Sequence, residues 1–279
     1  MSAAGVVNQG AAPAAPTYPD RPTFATLLER AVSEPGKIAE AYSAFHGYSL
    51  GNQLLAAFQC GARGIPCGPI NSFLGWKRLG RHVTRGQHAL SLWMPVTRKV
   101  ERDEGDDGPD VITRFILTPR WFALAQTEGE PMPAPETPTW DRARALAALD
   151  VQEIPFDLPD GNVQGFARGR SIAISPVAAM PVKTTFHELG HVLLGHTGEG
   201  DTSDGADLPR SLREVEAESV ALLCLESLGL EGAEYARGYV QHWLRGEVIP
   251  ERSAQRIFKA ADQILSAGRP MAEKGERAA

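Results

Sequence analysis

The stretch HELGHVLLGH (187–196) places three histidines and one glutamate within ten residues. His187 and His191 are four residues apart, so on an α-helix they differ by about 40° around the axis and about 6 Å along it. Side chains in that relation can bind one metal ion, and Glu188, beside the first histidine, can accept a proton from a water molecule next to the metal. The HExxH spacing therefore predicts Zn²⁺ ligands at His187 and His191 and a general base at Glu188.

A third ligand is expected downstream, where LREVEAESVALLCLESLGL (212–230) reads as a helix with closely spaced glutamates. Glu214 and Glu218 share one helix face, whereas Glu216 lies about 160° from each of them and cannot point at the same metal. We expect Glu214 to be the third ligand and Glu218 to hydrogen-bond to a histidine and orient it, with the reverse assignment as the alternative.

His196 is the remaining histidine of the stretch. On a continuous helix it would face about 180° from His187 and about 140° from His191, which excludes it as a ligand. The metzincin pattern also fails, because Leu194 stands where that pattern needs glycine and the third histidine comes one residue early. We expect His196 to follow the end of the helix at Gly195, at the surface, where partial positive charge suits the helix dipole.

The elements that must position these side chains form a mostly helical second domain, residues 141–279, with a small sheet. Helical periodicity covers about Val182–Leu194 and Leu212–Leu228, as well as WDRARALAALD (140–150) and further segments up to about Ser266. A hairpin is predicted in the glycine-punctuated segment 161–175. Four prolines in EPMPAPETPTW (130–140) indicate a stiff linker before this domain.

The first half reads as an α+β domain over residues 23–129, preceded by a disordered Ala/Pro/Gly-rich leader (1–22). Apolar residues at helical spacing follow Thr23, and a second helix is predicted over Tyr48–Cys60. ALSLWMPV and VITRFIL alternate like strands joined by a charged hairpin loop at 98–110. The fold class is therefore predicted to be α+β with two domains.

Charge is divided unequally between the halves. Residues 1–99 hold ten Lys/Arg against four Asp/Glu, a net +6, whereas the remaining residues carry −12. No acidic residue occurs from Ala41 to Lys99, and aromatic residues are interleaved with the basic ones. Basic groups beside aromatic faces are typical of single-stranded nucleic-acid sites. We expect phosphate contacts from Lys77, Arg78, Arg81 and Arg85, with Trp76 as a stacking platform.

Composition excludes several classes of protein. With 43% hydrophobic residues the chain can bury a core, and neither a secretory signal nor an uninterrupted apolar run long enough to span a membrane is present. Three cysteines without CxxC spacing fit a reducing compartment. We therefore expect a cytoplasmic protein with no membrane partner.

Several segments resemble, in order, the ArdC-type antirestriction proteins. They are YSLGNQLLAAFQ, GPINSFLGWKRLGRHVTRGQHAL, PRWFALAQTEG, FHELGH, EVEAESVALLCLESLGL and YVQHWL. The resemblance implies an N-terminal single-stranded-DNA-binding domain and a C-terminal zincin-like metallopeptidase domain related to the ImmA/IrrE type. The resemblance of the HExxH and glutamate helices to ImmA/IrrE-type metallopeptidases implies that the strand RSIAIS lines the cleft as an edge strand. The resemblance to ArdC-type proteins implies that the protein protects incoming plasmid or phage DNA from host restriction.

Two other functions stay open at this stage. The zincin fold could serve as a structural or docking platform in a DNA-binding protein that does not cleave peptides. Alternatively, a regulatory metallopeptidase could use its basic domain to recruit an acidic protein. In neither case does the sequence identify the protein substrate.

Overall fold

The computed structural model describes residues 22–99, 111–133, 136–158, 162–198, 208–245 and 247–270. The leader up to residue 21 and residues 100–110 of the predicted loop (98–110) lie outside these ranges, so the expectations for them stay predictions. Arg98 and Lys99, predicted to begin that loop, are the last two residues of a strand. No helix within the described residues is both long enough and apolar enough to cross a membrane.

Helices and strands alternate along the first part of the described chain, and helices dominate its end. The α-helices are α1 (Phe24–Ser33), α2 (Lys37–Phe45), α3 (Leu50–Ala62), α4 (Phe73–Arg78), α5 (Arg142–Ala148), α6 (Pro181–Leu193), α7 (Arg210–Ser227), α8 (Ala233–Leu244) and α9 (Glu251–Ala267). The strands are β1 (Ile70–Ser72), β2 (His82–Val83), β3 (Leu90–Lys99), β4 (Val111–Ala123), β5 (Thr127–Glu128), β6 (Gln152–Glu153), β7 (Gly165–Arg168) and β8 (Ser171–Ile174).

The strands form three small sheets among the described residues. β4 is the central strand of the first sheet, ordered β1-β4-β3, and pairs antiparallel with β3 from Trp121 opposite Leu90 to Val111 opposite Lys99. β2 pairs with β5, and the third sheet has the order β6-β8-β7. The predicted α+β class is confirmed, and the predicted strand pair and the 161–175 hairpin both form.

Two helices were not predicted from the sequence. α2 follows α1 after the turn at Gly36, whose φ of +82° places it in the left-handed region. α4 has only six residues, too few for a periodic apolar pattern to be recognised. Short helices of this kind depend on tertiary packing rather than on intrinsic propensity.

A continuous hydrophobic core joins helices from both predicted domains. Buried residues of α1–α3 pack together with those of α6, α7 and α9, including Leu28, Tyr42, Leu54, Phe186, Leu222 and Phe258. α2 packs on α7, and α1 packs on both α8 and α9. The division of the chain at residues 130–140 stays a prediction about folding units.

Polar contacts reinforce this packing. The carboxylate of Glu251 accepts hydrogen bonds from the backbone N–H groups of Phe24 (3.1 Å) and Ala25 (2.9 Å) at the start of α1. Asp262 accepts one from the N–H of Leu50 (2.7 Å) at the start of α3. The free N–H groups at a helix N-terminus favour a carboxylate, so α9 caps two helices of the N-terminal half.

Candidate metal centre

The HExxH residues lie on α6, which is amphipathic in the way the site requires. Phe186, Leu189 and Val192 are buried in the core, so the helix is fixed in rotation. His187 and His191 consequently project from one face, with their Nε2 atoms 3.1 Å apart. Pro181 is the first residue of the helix. Proline has no backbone N–H, and at this position an N–H would have no acceptor within the helix.

Glu214 of α7 completes a triangle with the two histidines. Its Oε2 atom lies 3.5 Å from His187 Nε2 and 3.7 Å from His191 Nε2. Three ligands bonded to a tetrahedral ion at about 2 Å are separated by about 3.3 Å, close to these spacings. His187, His191 and Glu214 form a potential metal-binding group by ligand-atom distance, so the donor set and its geometry fit a divalent ion.

Glu218 contacts the first histidine from the other side. Its Oε2 lies 2.8 Å from His187 Nδ1, and its Oε1 lies 2.6 Å from Lys183 Nζ. Burial acts to raise the pKa of Glu218, but the hydrogen bonds from His187 and Lys183 outweigh it and lower the pKa overall. Glu218 therefore accepts from Nδ1–H as a carboxylate and leaves His187 Nε2 facing Glu214, the arrangement that lets imidazole bind a metal.

The charges around the triangle favour a cation. Burial acts to lower the pKa of His187, yet hydrogen bonds to Glu214 and Glu218 raise it to about 9. The same contacts, His187 first and then His191, hold the pKa of the Glu214 carboxyl well below its usual range. The carboxylates that stabilise a proton on His187 create a negative electrostatic potential at the triangle. A divalent cation bound there would be stabilised by the same potential.

Glu188 lies beside the triangle and lines the same cavity. Its side chain is only 6% exposed, and burial raises its pKa, while His187 and His191 act in the opposite direction. A carboxylate with a raised pKa is suited to accept a proton near neutral pH. The backbone of β7 approaches it closely, because a Cβ at Gly165 would lie 3.2 Å from Glu188 Oε1.

The cavity has a volume of about 920 Å³ and is bounded by β7, α6 and the start of α7. The expectation for RSIAIS was wrong, because β8, which contains Ser171–Ile174, is the central strand of its sheet. β7 is the edge strand on the cavity side of this sheet, and its residues Gly165, Phe166 and Ala167 line the cavity. An edge strand has unpaired backbone groups, to which an extended peptide can add as a further strand.

His196 is buried, contrary to the sequence expectation of a surface residue. Its side chain is 2% exposed, its Nδ1 lies 2.9 Å from His191 Nδ1, and its Nε2 lies 2.8 Å from Glu216 Oε2. Burial is the main cause of a lowered His196 pKa, which disfavours the expected positive charge at the helix end. Glu216 points away from the triangle, as helix geometry requires, and its side chain is fully buried.

Only a weak signal for this pair is present in the sequence. Helix geometry excludes both His196 and Glu216 as metal ligands. Two polar side chains that do not bind the metal can still hydrogen-bond to each other. Gly195 makes the contact possible, because its φ of +72° turns the chain at the end of α6. The N–H of His196 then donates to His191 O at 2.9 Å, which brings the two rings together.

The five residues expected at a nucleic-acid site divide into two groups. Trp76 is 1% exposed and donates from Nε1 to Phe122 O (2.8 Å), so its ring has no face for a base. Arg81 is also buried, and its guanidinium donates to Thr127 Oγ1 and to backbone carbonyls. The predicted nucleic-acid contacts of Trp76 and Arg81 are therefore wrong, because both side chains are buried. Lys77, Arg78 and Arg85 are exposed.

Exposed apolar residues accompany Lys77 and Arg78 on α4. Phe73 is 55% exposed, and Leu74 is also exposed. Phe73 and Lys77 are separated by one helical turn, as are Leu74 and Arg78, so an aromatic ring and cations share this surface. Phe73 and Trp76 lie three residues apart in the same basic segment of the sequence. The packing of α4 on β4 determines that Trp76 is buried and that Phe73 is exposed to solvent.

Comparison with known proteins gives matches among solved structures only. No protein-family model matches the chain, and no curated protein matches it. The crystal structure of the antirestriction protein ArdC from plasmid R388 in its Mn(II)-bound form superposes with a TM-score of 0.53 at 19% identity, covering 89% of this chain and 99% of that one. The metal-free crystal structure of the same protein gives 0.50 at 20% identity, covering 88% and 94%. The chain therefore has the fold of the ArdC antirestriction protein along nearly its whole length.

Proposed function

We propose that the protein is a cytoplasmic antirestriction protein that binds single-stranded DNA and carries a zinc-dependent metallopeptidase site. The observation that carries the proposal is the triangle of His187 Nε2, His191 Nε2 and Glu214 Oε2, with Glu188 beside it in an open cavity. The fold shared with the antirestriction protein ArdC, which has been solved with Mn(II) bound, supports the antirestriction role and the binding of a divalent metal.

Each residue has a distinct part in the proposed reaction. His187, His191 and Glu214 would hold the ion; two imidazoles and one carboxylate are a donor set typical of catalytic zinc, which polarises a carbonyl and lowers the pKa of water. Glu188 would take the proton from the attacking water and pass it to the leaving amine. Glu218 would keep Nε2 of His187 directed at the metal position. The edge of β7 would align the peptide.

Metal content and catalysis can be tested separately. Glu188→Gln should retain one zinc per chain and lose cleavage, because Glu188 is not among the three ligand groups. His187→Ala should lose the metal. Zinc is measured by elemental analysis, and cleavage by a pooled set of internally quenched peptides. Full zinc content in His187→Ala would overturn the site assignment. Antirestriction activity that survives in Glu188→Gln would favour a platform without peptide cleavage.

The proposed DNA surface consists of the exposed residues Phe73, Lys77 and Arg78 of α4 together with Arg85, which follows β2. Phe73 can stack on an unpaired base, and the cations can contact phosphates. Fluorescence anisotropy with single-stranded and double-stranded oligonucleotides over a salt series tests this. Replacing all three cations by alanine should lower the salt slope by about two, since each phosphate contact on a single strand contributes about 0.7.

A control comes from α5, where the partly exposed Arg142 pairs with Glu153 at 2.8 Å. Arg142→Ala removes one surface cation outside the proposed DNA surface and should leave the salt slope unchanged. Phe73→Ala should weaken single-strand binding by about 1–3 kcal/mol without changing the slope. Absence of oligonucleotide binding by the unmodified protein would point instead to an acidic protein as the partner of the basic half.

A further inference from the structure

We propose that His196 and Glu216 form a buried relay that positions the metal ligand His191. The relay runs from Glu216 Oε2 to His196 Nε2 (2.8 Å) and from His196 Nδ1 to His191 Nδ1 (2.9 Å). It rests on the proposed metal site, and it adds two positioning residues that the zinc-binding pattern itself does not contain.

With a metal bound to His191 Nε2, these contacts allow one protonation pattern. His191 can bind a metal through Nε2 only if that atom carries no proton, so its proton must be on Nδ1. His191 Nδ1–H then donates to His196 Nδ1, which must be the unprotonated nitrogen of its ring. The His196 proton is therefore on Nε2 and is donated to the Glu216 carboxylate. Both hydrogen bonds of the relay then form with His196 neutral.

The two histidine ligands are thus supported by different residues of the same helix. Glu218, bound to Lys183, fixes His187, and Glu216 fixes His191 through His196. Glu214, Glu216 and Glu218 of α7 all contribute, although only Glu214 reaches the metal position. An aspartate or glutamate bound directly to His191 would bring another carboxylate beside Glu214. The imidazole of His196 lies between Glu216 and His191, so it can orient the His191 ring while Glu216 stays farther from the triangle.

Burial explains why Glu216 needs His196. The Glu216 side chain is fully buried, and an isolated carboxylate in that environment would be strongly disfavoured. Its hydrogen bond from His196 offsets that cost, and the pair could be held in the core for that reason alone. The contact to His191 allows the structural role and the positioning role to be distinguished. A pair that only stabilises the core would have no effect on metal binding, whereas a pair that positions His191 would.

Two variants at position 196 test the hydrogen-bond acceptor that His196 Nδ1 provides to His191. His196→Asn can keep an acceptor oxygen near the position of Nδ1, whereas His196→Phe keeps a ring of similar size without any acceptor. We expect zinc affinity, measured by competition with a chromophoric chelator, to fall by about 10–100-fold in His196→Phe, the range found for groups that orient metal ligands. His196→Asn should recover most of that loss. His242→Ala, an exposed histidine on α8, is the control and should bind zinc as the unmodified protein does.

Folding is checked independently in the zinc-free state, where circular dichroism and thermal unfolding should show each variant to be folded. If His196→Phe does not fold, imidazole nitrogen NMR of the unmodified, ¹⁵N-histidine-labelled protein decides the question. Zinc-loaded protein should show His191 protonated on Nδ1 and His196 protonated on Nε2.

The relay is refuted if folded His196→Phe binds zinc with unchanged affinity, or if the His196 proton is found on Nδ1. These outcomes differ from failure of the proposed function, in which the unmodified protein itself would bind no zinc, or Glu188→Gln would cleave peptides normally.

Discussion

Gly190 of α6 and Ala217 of α7 bring the two metal-site helices into backbone contact. A Cβ at Gly190 would lie 3.1 Å from Ala217 Cα and 3.3 Å from Ala217 O, closer than side chains normally approach. Gly190 lies between the two histidines in sequence, and Ala217 lies between Glu214 and Glu218. The close approach of these helices therefore sets the distance at which the glutamates meet the histidine rings.

Gly190→Ala should push α6 and α7 apart. Overpacking of this kind costs about 1–3 kcal/mol of unfolding free energy, which the better helix propensity of alanine offsets by only about 1 kcal/mol. Zinc affinity should fall as well, because Glu214 moves with α7. Gly238→Ala on α8 is the matched control, since a Cβ there meets nothing within 4 Å. Denaturant unfolding and chelator competition measure both effects, and a variant with native zinc affinity would show that the contact does not set the site.

The metal triangle could be predicted from the sequence because each step is local. Four-residue spacing places His187 with His191, and the same rule groups Glu214 with Glu218 and separates Glu216. The contact between His196 and His191 depends instead on the left-handed turn at Gly195 and on the packing of α7 beside it. Likewise, a tryptophan in a basic run can face solvent or the core, and only the hydrogen bond from Trp76 to Phe122 shows which.

Glu214 and Glu218 should differ sharply when each is replaced by alanine. Glu214→Ala removes one of three ligand groups and should abolish stoichiometric zinc binding in dilute protein. Glu218→Ala leaves the triangle intact and should weaken zinc binding by about 10–100-fold, because His187 loses the carboxylate that orients it. Isothermal titration at pH 7 with both variants gives the comparison. If Glu218→Ala were the more damaging change, the ligand assignment would have to be reversed.

Arg237 of α8 links helices from both halves of the chain. Its guanidinium donates to Ala31 O (2.8 Å) and Val32 O at the end of α1, and to the Glu226 carboxylate, which accepts from Gly36 N (2.7 Å) before α2. Arg237→Ala leaves Glu226 buried without its cation and should cost about 3–5 kcal/mol. Arg142→Ala breaks a surface pair with Glu153 and should cost at most about 1 kcal/mol. Equal melting temperatures for the two variants would contradict this.

The same contacts make a prediction about folding units. A fragment ending at residue 140 would expose the faces of α1–α3 that pack on α7–α9 and would lose the caps from Glu251 and Asp262. We expect this fragment to lack a cooperative unfolding transition, even though the Pro-rich segment at 130–140 has the composition of a linker. Calorimetry of the fragment beside the full chain measures it, and a sharp transition in the fragment would establish an independent N-terminal domain.

Asp262 should make stability depend on pH. Burial raises its pKa from 3.8 to about 6, although the hydrogen bond from Leu50 N–H acts in the opposite direction. Between these values the folded chain keeps a proton that the unfolded chain loses, so this residue makes the fold less stable as pH rises from about 4 to 6. Above pH 6 the penalty approaches its full value, at most about 3 kcal/mol.

Asp262→Asn keeps an oxygen that can accept from Leu50 N–H and removes the ionisation. The difference in unfolding free energy between the variant and the unmodified protein should therefore shift in favour of the variant from pH 4 to pH 7 and then level off. Any cost of the buried amide is the same at every pH, so the pH dependence is the informative quantity. Asp150→Asn, at a side chain that is 94% exposed, controls for loss of surface charge. A difference that stays constant from pH 4 to pH 7 would show that Asp262 is ionised in the folded chain throughout this range.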